Sequence, residues 1–166
     1  ISSDGSIVAI GSNLNDDNGK DSGHVRVYKN ENGSWKQIGD DIDGEAPGDR
    51  YEEGTHRHTY ENLSFSNDGS VVAIGAPFND DNDGGHVRIY QNVNNSWVQV
   101  GSDIDGEASD DGSGDSISLS SDGSVVAISS SYNHGNGWSS GHVRIFQNVN
   151  NSWVQVDSDI DGEAEY

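Results

Sequence analysis

The sequence predicts an all-β protein built as an array of four-stranded antiparallel units, and three observations carry that expectation. A long phrase recurs three times: Gly-His-Val-Arg, an aromatic, Asn, Ser-Trp, and then Asp-Ile-Asp-Gly-Glu-Ala. Trp35, Trp97 and Trp153 mark equivalent points 62 and then 56 residues apart, as do His24, His86 and His142. Self-similarity at such a period means one supersecondary unit copied along the chain, each copy burying its apolar face against the next. Apolar residues make up only 30% of the chain, yet they gather in runs of strand length between polar punctuation, with 22 glycines to supply turns. No stretch has helical periodicity.

The third copy shows the elements in order. Ser116 to Ser120 alternates polar and apolar residues, as a half-exposed strand does, and Val125 to Ile128 is apolar throughout, as in a strand buried on both faces. His142 to Phe146 alternates again, and Ser152 to Val156 is rich in β-formers. Asp-Gly between the first two runs, at Asp4-Gly5, Asp68-Gly69 and Asp122-Gly123, predicts a tight primed turn. Four strands in tandem units of this size are the signature of β-propeller-type blades, with a stacked β-solenoid as competitor. The phase gives about three blades: residues 1–46, the first blade lacking one strand; 47–108, with an insertion at 50–61; and 109–166. Three are fewer than the ~4–8 blades that close a ring, so an unfinished sheet edge is expected, covered by further blades of the same polypeptide or by copies of the chain.

Composition narrows the function. Acids outnumber Lys and Arg by 29 to 8, a formal charge of −21, which excludes a nucleic-acid partner because phosphate backbones select cations. Like charge at this density calls for salt or bound cations, as in an extracellular or cell-surface setting, or else serves solubility alone. Cysteine is absent, so no disulfide framework or thiolate site can be drawn. No apolar run is long enough for membrane insertion.

With these residues in view, the chain resembles the FG-GAP-type β-propeller repeats of integrin α-subunit heads and of secreted surface proteins. Val71-Val72-Ala73-Ile74-Gly75-Ala76-Pro77 stands for that family's apolar strand, and Gly85-His86-Val87-Arg88-Ile89-Tyr90 for the strand that follows. The Asp-Ile-Asp-Gly-Glu-Ala version is closest in style to repeat proteins of algae and marine microbes. The resemblance implies a propeller but not the family's Ca²⁺ loop, since the connection here is only Ser-Asp-Gly-Ser or Asn-Asp-Gly-Ser.

Several groups are candidates for chemistry. Asn79, Asp81 and Asp83, followed by Gly84, have the alternating oxygen spacing that suits Ca²⁺, against the plainer expectation of an Asn/Asp turn. Asp41/Asp43/Glu45, Asp103/Asp105/Glu107 and Asp159/Asp161/Glu163 each put three carboxylates in five residues, which makes each cluster a metal site or a capped corner between blades. Asn32, Asn94 and Asn150 open N-glycosylation sequons at the same turn of every copy, and Asn62 opens a fourth. His56 and His58, beside Glu52, Glu53 and Glu61, form a weaker transition-metal candidate within the insertion. Arg26, Arg88 and Arg144 lie in otherwise apolar strands with the three histidines, an arrangement that predicts ion pairs with nearby aspartates. Trp138, Tyr132 and His134, in a loop particular to the third copy, are candidates for binding a carbohydrate or other ligand.

No singular constellation of nucleophile, base and orienter is present, so an enzyme is not expected. The expectation is an extracellular structural or adhesive glycoprotein assembling head to tail through open sheet edges. The alternative is a carbohydrate- or ligand-binding module of a longer receptor.

Overall fold

The computed structural model describes residues 1–12, 15–20, 22–44, 62–77 and 84–163. The described residues form fourteen strands in three antiparallel sheets, and no helix occurs among them. The first sheet holds β1 (Ile7–Ser12), β2 (His24–Glu31), β3 (Ser34–Gln37) and β4 (Ile42–Asp43). In the second are β5 (Asn62–Phe65), β6 (Val71–Ala76), β7 (His86–Val93), β8 (Ser96–Gln99) and β9 (Ile104–Asp105). The third comprises β10 (Ser113–Leu119), β11 (Val125–Ser130), β12 (His142–Val149), β13 (Ser152–Gln155) and β14 (Ile160–Asp161).

Each unit therefore carries one strand more than its sequence pattern predicts, and the addition lies in the acidic phrase. The eight-residue central strand is longer than either partner on its outer edge. Tyr28 to Glu31 pair with β3, while His24 and Val25 pair with Asp43 and Ile42 of β4. The same division recurs between β7 and its partners β8 and β9, and between β12 and its partners β13 and β14. Asp-Ile-Asp-Gly is thus a corner that turns back onto the sheet. Its isoleucine points inward at Ile42 and Ile104, and the amides of Gly44, Gly106 and Gly162 donate to the carbonyls of Gly23, Gly85 and Gly141. Glycine is required there because a Cβ would run into the carbonyl of Ser22, Gly84 or Ser140.

The hairpin turns differ from the expectation in an instructive way. Asp4, Asp68 and Asp122 keep negative φ, and only the following Gly5, Gly69 and Gly123 are left-handed, at 73°, 71° and 71°. The loop is too long for a primed turn: the Ser66 amide donates to the Val71 carbonyl and the Val71 amide to the Ser66 hydroxyl, leaving four residues between them, a length built around an ordinary type I turn. Primed geometry appears instead at the sequon turns, where Asn32-Gly33, Asn94-Asn95 and Asn150-Asn151 all have positive φ.

In the Asp-Gly loops the carboxylate is the organising group. Asp122 accepts from the Ser120 hydroxyl at 2.7 Å, the Ser124 amide at 3.0 Å and the Ser124 hydroxyl at 2.8 Å. Those donors, Ser120 first, hold its pKa down at about 2 from the ordinary 3.8. Because the folded value is the lower one, whatever the loop gains from this charge is complete above pH 3.8 and is lost as pH falls through 2. NMR titration of the Asp122 carboxyl carbon should give a midpoint near 2, moving up toward 3.8 in Ser120→Ala; a wild-type midpoint near 3.8 would show that the loop bonds are not held in solution.

Two apolar clusters lie between the sheets. Ile7, Val25, Val27 and Ile42 meet Val72, Ile74 and Tyr90. Val71, Ala73, Val87, Ile89 and Ile104 meet Val126, Ile128 and Phe146. Alternation along β6 and β7 sends one set of side chains to each neighbour, so the middle sheet is buried on both faces.

Candidate functional site

The two joints are built from the same parts. The indole Nε1 of Trp97 donates to the Ile38 carbonyl at 2.9 Å, and that of Trp153 to the Val100 carbonyl at 2.8 Å. Arg88 reaches the Asp43 carbonyl and Arg144 the Asp105 carbonyl, at 3.4 and 2.6 Å. At the loop end, the Ser3 amide donates to the Asn67 carbonyl and the Asn67 amide to the Ser121 carbonyl. Side-chain packing and isolated bonds of this kind join the sheets face to face, while among the described residues the strand ladders stay within each sheet.

The outer sheets each leave one such face open. On the first, Val8, Ile10, Tyr28 and Trp35 line a groove, and Trp35 is 49% exposed. These are the counterparts of Val72, Ile74, Tyr90 and Trp97, which pack against a neighbour. On the third sheet, Ile160 is 58% exposed where its counterparts Ile42 and Ile104 are each at 5%. The arginines show the same contrast. Arg144 is 6% exposed and bonds across the joint, whereas Arg26, at 40%, folds back onto Asp41 with Nη2 at 2.7 Å and Nε at 2.8 Å from Oδ2.

The predicted acidic clusters take up this geometry as corners. Asp41, Asp103 and Asp159 accept from the Gln37, Gln99 and Gln155 side chains, at 2.6, 2.5 and 2.6 Å. Side-chain amides, rather than the backbone donors expected from a turn, thus satisfy the first aspartate. Asp43, Asp105 and Asp161 contribute main chain to β4, β9 and β14. Glu107 leaves its corner and lies across the joint, 3.8 Å from Arg144 Nη1 and 3.9 Å from His142 Nδ1, while Asp159 Oδ2 is 3.6 Å from the same nitrogen. In the first sheet Asp17 takes that place: His24 Nδ1 is 3.9 Å from Asp17 Oδ2 and 3.8 Å from Asp41 Oδ2. Arg26 keeps the Asp41 carboxyl below its ordinary range.

Asp17–His24–Asp41 and Glu107–His142–Asp159 are the described groups whose donor atoms lie close enough to share a cation. Two carboxylates and an imidazole are not the six to eight oxygens Ca²⁺ takes, and a guanidinium already stands beside each group. Sequence spacing missed both clusters because their members come from loop, strand and corner. Within the acidic phrases, Glu163 is exposed, and Glu45 lies outside the described residues, as do Asn79, Asp81, Asp83, His56 and His58.

Asn32, Asn94 and Asn150 occupy exposed turns open to modification. Asn62 is placed otherwise. Its half-buried carboxamide donates to the carbonyls of Gly114 and Asp115 in the neighbouring sheet, so the fourth sequon is spent on the joint rather than presented to solvent. Trp138, 70% exposed, stacks on His134 with ring centroids 4.5 Å apart, and His134 Nδ1 accepts from the Ser139 amide. Tyr132 lies in the same loop, partly exposed.

The fold defines an all-β protein of tandem antiparallel sheets. No family model matches the chain, and no curated protein does. Among solved structures, the X-ray structure of a hypothetical selenium-binding protein from Sulfolobus tokodaii is similar over 95% of this chain and 40% of that one, with a TM-score of 0.50 and 11% identity. At that identity the likeness is one of fold alone, and the chain spans less than half the length of that structure.

Proposed function

We propose that the chain is an extracellular structural or adhesive module whose three sheets are propeller-type blades of the FG-GAP kind, and that it extends by joining further blades at its ends into a ring or filament. The observation that carries this is the open pair of end faces, each made of the residue types that its counterparts bury inside the molecule. Burying Trp35, Ile10 and Ile160 recovers transfer free energy of about 25 cal/mol per Å² of apolar surface, which favours a neighbour. The mechanism is contact rather than turnover, and packing of faces supports it more directly than strand exchange at edges. A charge of −21 opposes close approach and makes assembly depend on ionic screening.

A density map of particles from the native source tests the proposal. Ordered rings or filaments, with glycans on Asn32, Asn94 and Asn150, are the expected result. Isolated monomers across a range of salt and concentration would refute it. The exposed Trp138–His134 stack favours a second role in carbohydrate binding, which sugar density over the indole in the same map would support.

A further inference from the structure

The second joint brings an imidazole and two carboxylates together from two sheets. Glu107, at the end of the second sheet's acidic corner, reaches His142 of β12 and Asp159 of the third sheet's own corner, and their donor atoms lie within 4.8 Å of one another. The His142 side chain is 1% exposed. Its Nδ1 faces Asp159 Oδ2 at 3.6 Å and Glu107 Oε2 at 3.9 Å, both longer than the ~2.7–3.2 Å of a hydrogen bond. Its Nε2 is buried without a partner, so the ring makes no hydrogen bond among the described residues. A buried imidazole with two carboxylates aimed at one nitrogen calls for a proton or a metal ion between them. A proton would draw nitrogen and oxygen to about 2.8 Å. The observed spacing suits an ion better, because bonds of about 2.0–2.2 Å at a tetrahedral angle hold two ligands about 3.4 Å apart.

Both carboxylates are held from behind, as the ligands of a metal commonly are. Asp159 Oδ1 accepts from the Gln155 side chain at 2.6 Å, and Glu107 Oε1 lies 3.8 Å from Arg144 Nη1, which leaves Oδ2 and Oε2 turned toward the ring. Arg144 is anchored away from these two oxygens, its Nη2 donating to the Asp105 carbonyl at 2.6 Å. The first sheet offers the contrast. There Arg26 bonds Asp41 Oδ2 itself, with Nη2 at 2.7 Å and Nε at 2.8 Å, so the oxygen that faces His24 already has its cation. The second carboxylate also comes from a different place in each copy. Asn18 and Asn136 hold the same loop position, donating to the Gly44 and Gly162 carbonyls; one residue earlier, Asp17 faces His24 where the third copy has Gly135. Glu107 crosses the joint and supplies the carboxylate that this loop lacks.

We propose that Glu107 Oε2, His142 Nδ1 and Asp159 Oδ2 form a site for one divalent transition-metal ion of the Zn²⁺ class, which ties the second sheet to the third. One nitrogen and two oxygens suit a borderline-soft ion and fall short of the oxygen shell that Ca²⁺ takes. Three protein ligands leave a fourth position, which water fills from the solvent side, where Glu107 is 44% exposed. The ring binds in its neutral form, with its proton on Nε2. The site lies wholly within one chain and is independent of whether copies assemble.

Calorimetric titration of the metal-stripped chain with ZnCl2, in about 1 mM CaCl2 to occupy general surface carboxylates, tests this. A saturable equivalent of Zn²⁺ is expected, with a melting temperature raised by about 5 °C at a hundredfold excess over Kd. Glu107→Gln, at a position open to solvent, should weaken that binding about tenfold or more while leaving the metal-free melting temperature unchanged. Asp159→Asn should act in the same way, and Asp17→Asn, in the first cluster, should have no effect. In long-range proton–nitrogen NMR spectra, Zn²⁺ should shift His142 Nδ1 and leave the proton on Nε2. An isotherm that does not saturate, or that Glu107→Gln and Asp159→Asn leave intact, would overturn the site. So would a His142 ring that still carries protons on both nitrogens with Zn²⁺ in excess.

Discussion

Replacing Trp97 with Ala is expected to destabilise the folded chain by about 3 kcal/mol, while Trp35→Ala should change the stability of the monomer by less than about 1 kcal/mol. The two residues are the same element of the repeat. Trp97 packs against the cluster formed by Val25, Val27 and Ile42 and donates to the Ile38 carbonyl, so its loss removes a large apolar side chain and leaves a carbonyl without its partner. Trp35 has no sheet in front of it and is 49% exposed. Urea denaturation of both variants at low protein concentration decides the matter. Equal losses would mean that the indoles stabilise their own sheets and that the joints contribute little.

The second large effect is expected from Gly75→Ala, about 2–3 kcal/mol of destabilisation. Gly75 is not left-handed, so alanine suits its backbone and in a solvated strand would be neutral or favourable. Here a Cβ would run into the Gly114 carbonyl of the neighbouring sheet, where every nearby atom is main chain and no side chain can step aside. The methyl group can be admitted only by moving β6 away from β10, which opens the cluster around Val71 and Val126. Thermal unfolding measures it. An unchanged midpoint would show that the second and third sheets are not in contact at this point.

Much of this architecture is legible in the residues. The tryptophan period gives the number of units, and the alternation of His-Val-Arg with the apolar Val-Val-Ala-Ile run locates the two central strands, because side-chain direction in a sheet alternates with period two. Asp-Ile-Asp-Gly is less legible. Its carboxylates draw attention to cations, whereas its conformation follows from Ile42 burying itself and from the glycine's approach to Ser22, both tertiary facts. The Asp-Gly turns carry a hairpin signal that points to the wrong geometry, since the serines on either side, and not the turn dipeptide, set the loop length. The histidine clusters are legible only in part: the strand arginines and histidines point to aspartate partners such as Asp41, but Glu107 and His142 are 35 positions apart and meet only because one sheet lies on the next.

The middle sheet is gripped on both sides and the outer two on one. Amide hydrogens should therefore exchange slowest in β6 and β7 and progressively faster toward either end, because opening an outer sheet breaks one contact surface and opening the centre breaks two. Resistance to heat and proteolysis in such an object grows with the number of modules in line, so a lengthening array toughens itself without any change to its repeating part.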